Sequence, residues 1–529
     1  MRASDRFRFL SALVTLSASV AVGCGSSNGS TPSAVDAGPT GPVDSGLGSD
    51  ASPNLSDGGT PNDGATASSG HLNLPTLTWG GAPLQTSAKV VSVFFPNDPM
   101  APQLKTFGET LTTNSWWTST VTQYCEGDGG ACIGAGQAGV AVTLDAGAAA
   151  EYDDGADAGG VQLQPWLTDL ISSGALPPAD ANTLYMLYIP PSTAVNYGGS
   201  LGCEAFDGYH GATAANVAYA VSMECPADPD AGLPAYTVSD VTLTASHETA
   251  ESATDGLTDS NNDYGWYNNF NDPNNWAWND DSDGEVADFC ADYLDGQGTD
   301  GDYWPLGGFT YQRIWSVEAA AANQNPCLPV PAGEIYYNAA PQTAFLALNV
   351  GESITIPVTA FADGAHAAWN VDVFDSTDPT GATSYTKLAW EGSTATDPTF
   401  SGTPMISMSN GTVANLTITL TTDPSNVGNG NACADSTCQT TYGEADITIW
   451  SFDGTGLNTA KDDHYWELAV MTRASATAGQ VTLLDGGAPE KRIHRRQRHL
   501  PNGLTVPQHA TPSKAWLRRG RGRFSVLGF

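Results

Sequence analysis

Positive charge is scarce in this 529-residue chain, which has 19 Lys and Arg against 57 Asp and Glu. Three of the cations (Arg2, Arg6, Arg8) precede residue 9 and ten lie in 491–529. Residues 9–489 therefore carry six cations against 55 acidic residues, a net charge of −49. Such a surface repels nucleic acid and anionic lipid and keeps itself soluble by self-repulsion, so nucleic acid is not expected as a partner. No Cys-x-x-Cys occurs among the nine cysteines, which removes the zinc-ribbon and thiol-redox readings. Long apolar runs are lacking too: the one candidate, Phe9 to Val22, is too short for comfortable passage through a bilayer.

That short run follows three arginines and ends at Gly23-Cys24, the pattern of a signal sequence. Val20-Ala-Val-Gly-Cys24 resembles the bacterial lipobox, with Ala21 where Leu is usual; ordinary cleavage nearby is the alternative. The expectation is an exported lipoprotein that meets the membrane only through lipid on Cys24. The other eight cysteines fall into near couples, Cys125/Cys132, Cys203/Cys225, Cys290/Cys327 and Cys433/Cys438, and an exported chain would oxidise them.

Residues 25–70 are Ser, Gly, Pro, Asp, Thr and Ala with almost no large apolar side chain, the composition of a disordered tether. From 71 to 330 the periodicity predicts an α/β domain. Its strands are expected near Ala88–Phe95, Gly139–Leu144, Thr183–Ile189, Asn216–Met223 and Phe309–Val317, and its helices near Gln103–Leu111, Ser115–Tyr124 and Val161–Ser172. Residues 256–283 are rich in Asn, Asp, Trp and Tyr and read as a long ordered loop. Asn279, Asp281, Asp283 and Gly284 imitate the start of a calcium loop, but its twelfth position is Cys290 rather than Glu. After a linker at Pro329–Ala332, short alternating segments between turn residues predict an all-β immunoglobulin-like sandwich over 331–486, with His366 and His464 read as surface residues. Residues 487–529 form a basic tail, Arg495-Arg-Gln-Arg498 and Arg518-Arg-Gly-Arg-Gly-Arg523, expected to be disordered.

The chemistry concentrates in Thr244-Ala-Ser-His247-Glu248-Thr-Ala-Glu251. On a helix, His247 and Glu251 share a face at i and i+4, with Glu248 on the flank. In His-Glu-x-x-His zinc peptidases this spacing holds the ion and the intervening Glu is general base. Here Glu251 replaces the second His, which leaves a more oxygen-rich zinc site. The competing reading is a solvated helix with surface charges.

Five segments, in order, carry a resemblance: Trp79-Gly-Gly-Ala-Pro-Leu84, Ser115-Trp-Trp117 with Tyr124, Cys203 to His210, His247-Glu-Thr-Ala-Glu251 with Thr254-Asp255, and Glu285-Val-Ala-Asp288-Phe-Cys290. Over about residues 78–327 the chain resembles the EXORDIUM or phosphate-induced protein family of plant cell walls and its secreted bacterial relatives. Asp207 stands where that family often has Cys, and Gly256 where it has Pro. The resemblance implies a zincin-like α/β fold and an extracellular role, without implying an activity.

From the residues, His247 and Glu251 are expected to ligate zinc and Glu285 or Asp288 to complete the set, with Glu248 as general base. His210 is either an oxyanion donor or the third ligand. The expected substrate is a peptide or protein. The alternatives are a non-enzymatic cell-surface protein binding cell-wall polymer, and a carbohydrate binder using Trp266, Tyr267, Trp276 and Trp278. Calcium is the other candidate ion.

Overall fold

A computed structural model describes residues 70–127, 129–155, 159–228, 234–257, 264–268, 273–275, 277–278, 284–293, 303–377, 384–400, 402–424, 444–456, 463–475 and 494–495. The signal sequence with Cys24, the tether up to residue 69, Asn279, Asp281 and Asp283 of the calcium-like run, Trp276, the Cys433/Cys438 couple and most of the basic tail lie outside these residues. Strand outweighs helix.

The first half runs β1 (Lys89–Phe94), α1 (Ala101–Thr110), α2 (Ser115–Thr120), β2 (Val140–Thr143), α3 (Leu163–Ser172), β3 (Thr183–Ile189), β4 (Phe206–Ala212), β5 (Ala218–Met223), α4 (Val238–Asp255) and α5 (Asp288–Tyr293). The second half contributes β6 (Tyr337–Pro341), β7 (Phe345–Leu348), β8 (Ser353–Ala362), β9 (Trp369–Asp375), β10 (Thr386–Trp390), β11 (Met405–Met408), β12 (Val413–Leu420), β13 (Ala445–Phe452) and β14 (Asp463–Thr472). A last short strand, β15, is His494–Arg495.

The central sheet has the order β15-β4-β5-β3-β1-β2. β3 reads Thr-Leu-Tyr-Met-Leu-Tyr-Ile and is buried at every position, as suits a strand covered on both faces. It runs parallel to β1 and β5, and β1 runs parallel to β2. β4 is antiparallel to β5, pairing His210 with Ala220 and Gly208 with Ser222. This strand was not legible beforehand: Phe-Asp-Gly-Tyr-His-Gly-Ala holds two glycines and little β-branched character. On one face the core is built from Val90, Phe94, Met186, Tyr188 and Ala220 with α1 and α4; on the other from Val91, Leu187, Tyr209 and Tyr219 with α3.

In the second half one sheet has the order β6-β8-β12-β10 and the other β7-β14-β13-β9-β11, which makes the expected sandwich. Most of its pairs are antiparallel, but β7 runs parallel to β14. Three disulfides form as the sequence suggested, Cys125–Cys132, Cys203–Cys225 and Cys290–Cys327.

Three expectations need correction. His464 is wholly buried rather than superficial, its ring edge-on to Tyr336 and Tyr337 at 4.7 and 5.2 Å. His71 is buried and stacks on Phe361 at 4.4 Å. Trp278 is no sugar platform: it is buried, stacked on Tyr465 at 5.5 Å and edge-on to Trp466 at 5.6 Å, and so belongs to the core shared by the two halves. Finally, two tail residues pair with β4.

Candidate metal centre

α4 carries most of the site, and its sequence explains how it can lie inside the molecule. The Asp240 carboxylate accepts the Thr237 backbone N–H at 2.7 Å and so closes the first turn. From Val241 to Thr254 every residue is buried, although many are polar. Their hydroxyls turn back on the helix: Thr249 donates to the Ala245 carbonyl at 2.6 Å, Thr254 to that of Ala250 at 3.0 Å and Ser246 to that of Leu243 at 2.8 Å. Two also anchor the neighbouring hairpin, where Thr310 N–H donates to Thr242 Oγ1 and Gln312 N–H to Ser246 Oγ. Small polar side chains thus let α4 approach both the sheet and the hairpin closely.

The closest approach is over Gly208. A Cβ there would lie 2.4 Å from Thr244 Cγ2 and 2.8 Å from Glu248 Oε1, so only glycine lets α4 sit over β4 at this depth. A glycine in a strand candidate between Asp207 and Tyr209 is the signal that sequence reading passed over. Asp207, itself buried, accepts a hydrogen bond from the Tyr236 hydroxyl at 2.9 Å and one from Thr244 Oγ1 at 3.4 Å, tying β4 to the start of α4.

Three separated segments meet at α4. His247 Nε2 lies 2.9 Å from Glu251 Oε2 and 3.3 Å from Asp288 Oδ1. From β4, His210 Nδ1 lies 3.4 Å from Glu248 Oε2 and 3.7 Å from Glu251 Oε2. Glu251 is held by its other oxygen: Oε1 accepts the backbone N–H groups of Ala287 and Asp288, both at 3.1 Å. Those amides open the turn that leads into α5, so one clasp fixes the Glu251 carboxylate and places Asp288 beside His247.

His247 and Glu248 are fully buried, Glu251 is 1 % exposed, and His210 and Asp288 are 7 % exposed. Burial pushes the His247 imidazole pKa down; the hydrogen bond to Asp288 and the charges of Glu248, Asp288 and Asp207 outweigh it, and the net shift is upward.

Among the described residues, two triads offer ligand atoms within 4.8 Å of one another, His247/Glu251/Asp288 and His210/Glu248/Glu251. Glu285 is in neither, so of the two candidates for the third position it is Asp288 that lies with His247 and Glu251. It is buried, but it precedes α5, whereas Asp288 is the first residue of that helix. A four-coordinate zinc with nitrogen and oxygen ligands separates them by about 3.3 Å. The His247 distance of 3.3 Å to Asp288 matches that spacing, and the 2.9 Å to Glu251 falls short of it by 0.4 Å. The donor set of imidazole and carboxylate is also chemically apt.

No family model and no curated protein matches the chain. Among solved structures it is similar to a conjugative transposon lipoprotein from Bacteroides eggerthii (9 % identity, 25 % of this chain and 95 % of that one, TM-score 0.16). It is similar also to a lipoprotein from Bacteroides thetaiotaomicron (12 %, 30 % and 96 %, TM-score 0.18) and to domain 1 of VCBP3 from Branchiostoma floridae (8 %, 27 % and 99 %, TM-score 0.16). Likenesses this slight assign neither fold family nor function. No helix among the described residues is long and apolar enough to cross a membrane.

Proposed function

We propose that the chain is an exported protein, lipid-anchored at Cys24, whose first half is a zincin-like domain resembling the EXORDIUM family and acting, from its residues, as a zinc-dependent peptidase. The observation that carries this reading is the convergence of His247 Nε2, Glu251 Oε2 and Asp288 Oδ1 in a buried site. Carboxylates taken out of water are costly unless charge-paired or on a metal, and here three of them, Glu248, Glu251 and Asp288, lie beside two imidazoles. His247, Glu251 and Asp288 would hold the ion.

When bound, zinc supplies Lewis-acid polarisation of a carbonyl and acidifies water. The protein groups do the rest. Glu248 Oε2 takes the proton of the attacking water, and His210 Nδ1, 3.4 Å from it, shares that proton and steadies the carboxylate. Glu251, clasped by two amides, keeps its second oxygen toward both imidazoles.

One observation favours a second reading: no member of the site is more than 7 % exposed, as suits a structural ion in a non-enzymatic surface protein that binds cell-wall polymer. Elemental analysis for zinc and calcium, followed by hydrolysis of a denatured protein, separates the two. About one zinc per chain, with hydrolysis lost in Glu248→Gln while the zinc stays, supports the peptidase. Zinc without hydrolysis supports the second reading, calcium changes the ion, and a chain free of either metal rules out the centre.

A further inference from the structure

β4 is the strand that brings His210 to the site; its outer edge pairs with β15, and Phe206 at its start also bridges Gly202 and accepts the Cys203 N–H. The pairing is antiparallel, with His494 opposite Gly208 and Arg495 opposite Phe206, and the register shifts between the two. The occupied stretch thus ends two residues short of His210. A sheet edge presents a row of backbone N–H and C=O groups that an extended chain can complete whatever its side chains, while charge decides which chain is attracted.

The charge here is one-sided. β15 belongs to Lys491-Arg-Ile-His-Arg-Arg-Gln-Arg498, which has five Lys or Arg and no acid, while residues 9–489 carry −49. Next to β4 the chain exposes Glu204. We infer that the edge of β4 is a docking strand for extended, arginine-rich polypeptide, and that the segment around His494–Arg495 of this same chain is its resident occupant. Backbone pairing supplies the register and the acidic body supplies the attraction. The inference stands without a metal, because it rests on backbone pairing at Phe206 and Gly208. Only its extension, that the occupant competes with a peptide substrate, rests on the peptidase reading.

The test uses the full chain carrying Glu248→Gln, so that hydrolysis does not enter, and compares it with the same chain carrying His494→Pro and Arg495→Pro. Proline removes the N–H groups a strand pair needs. Amide hydrogen exchange at Phe206–His210 is expected to rise about tenfold in the proline variant, with the thermal midpoint unchanged. A labelled synthetic peptide of residues 491–498 is expected to bind the proline variant about tenfold more tightly than the parent, and less tightly as salt is raised. The same peptide with both prolines is expected not to bind.

Unchanged exchange at β4 would overturn the resident strand. Equal binding of the proline peptide would reduce the edge to unspecific charge attraction and overturn the docking strand. Protection that grows with protein concentration would give the strand to a second copy and overturn the intrachain assignment. If the proline variant does not fold, Arg495→Glu with Arg496→Glu and Arg498→Glu replaces it, with the same expectations.

Discussion

His247 and Glu251 stand one helical turn apart on α4, with Nε2 and Oε2 separated by 2.9 Å, and the second oxygen of Glu251 is fixed by the amides of Ala287 and Asp288. The spacing was visible in the sequence; the clasp was not. It makes the third ligand candidate a question of which residue follows those amides. Asp288→Asn is therefore expected to weaken zinc binding about 10- to 100-fold and Glu285→Gln to leave it unchanged, as read by competition with a chromophoric chelator. Equal losses in both variants would return the third ligand to ambiguity.

Gly208 tests the packing of α4 on β4. Gly208→Ala places a methyl against Thr244 Cγ2 and Glu248 Oε1, and the Val221 carbonyl at 2.9 Å closes the remaining space. A loss of about 1–3 kcal/mol in chemical denaturation is expected. An unchanged midpoint would mean that the helix shifts freely, and with it the site.

His464 reports on acid stability. Burial, then the charges of Arg313 and His366, hold its folded pKa down to about 3 from an ordinary 6.5. Between those values the unfolded chain binds the extra proton, so this group lowers stability as pH falls from 6.5 toward 3. Urea midpoints at pH 7 and pH 4.5 are expected to differ less in His464→Gln than in the parent.

Glu224 acts in the opposite direction. Burial, then the charge and hydrogen bond of Asp98, raise its folded pKa from 4.5 to about 8. The folded state keeps its proton longer, so the contribution is intact below 4.5 and lost as pH rises through 8. Glu224→Gln should gain stability on the parent at pH 9 and not at pH 4; a gain of the same size at both values would point to a cause other than the proton.

Trp278 tests the union of the two halves. Trp278→Ala removes its contacts with Tyr465, Trp466, Phe289 and Trp315 and is expected to cost about 3–5 kcal/mol, with both halves losing protection together in hydrogen exchange. Weaker retention on polysaccharide without loss of stability would instead revive a surface role.

How much of this was legible follows from where the information sits. β3 was read to the residue because a continuous apolar run is a local signal. α4 announced itself by His247-Glu-x-x-Glu251, although its many buried Thr and Ser residues hid how deeply it is enclosed. β4 was missed because its glycines lower strand propensity, and the reason for Gly208 lies in α4, which crosses above it. Glu285 and Asp288 were indistinguishable by spacing; the Glu251 carboxylate, brought from α4, accepts the Ala287 and Asp288 amides and so separates them, and no local pattern encodes that.

One cross-link ties this arrangement to its surroundings. Cys290 sits on α5 two residues beyond Asp288 and is bonded to Cys327, whose carbonyl also receives the Arg313 guanidinium. In a thiol-reducing cytosol that cross-link would be open, and on the proposed reading Asp288 would lose one of the ties that place it beside His247. On the proposed reading, newly made chains stay harmless at home and become competent only after secretion has oxidised them.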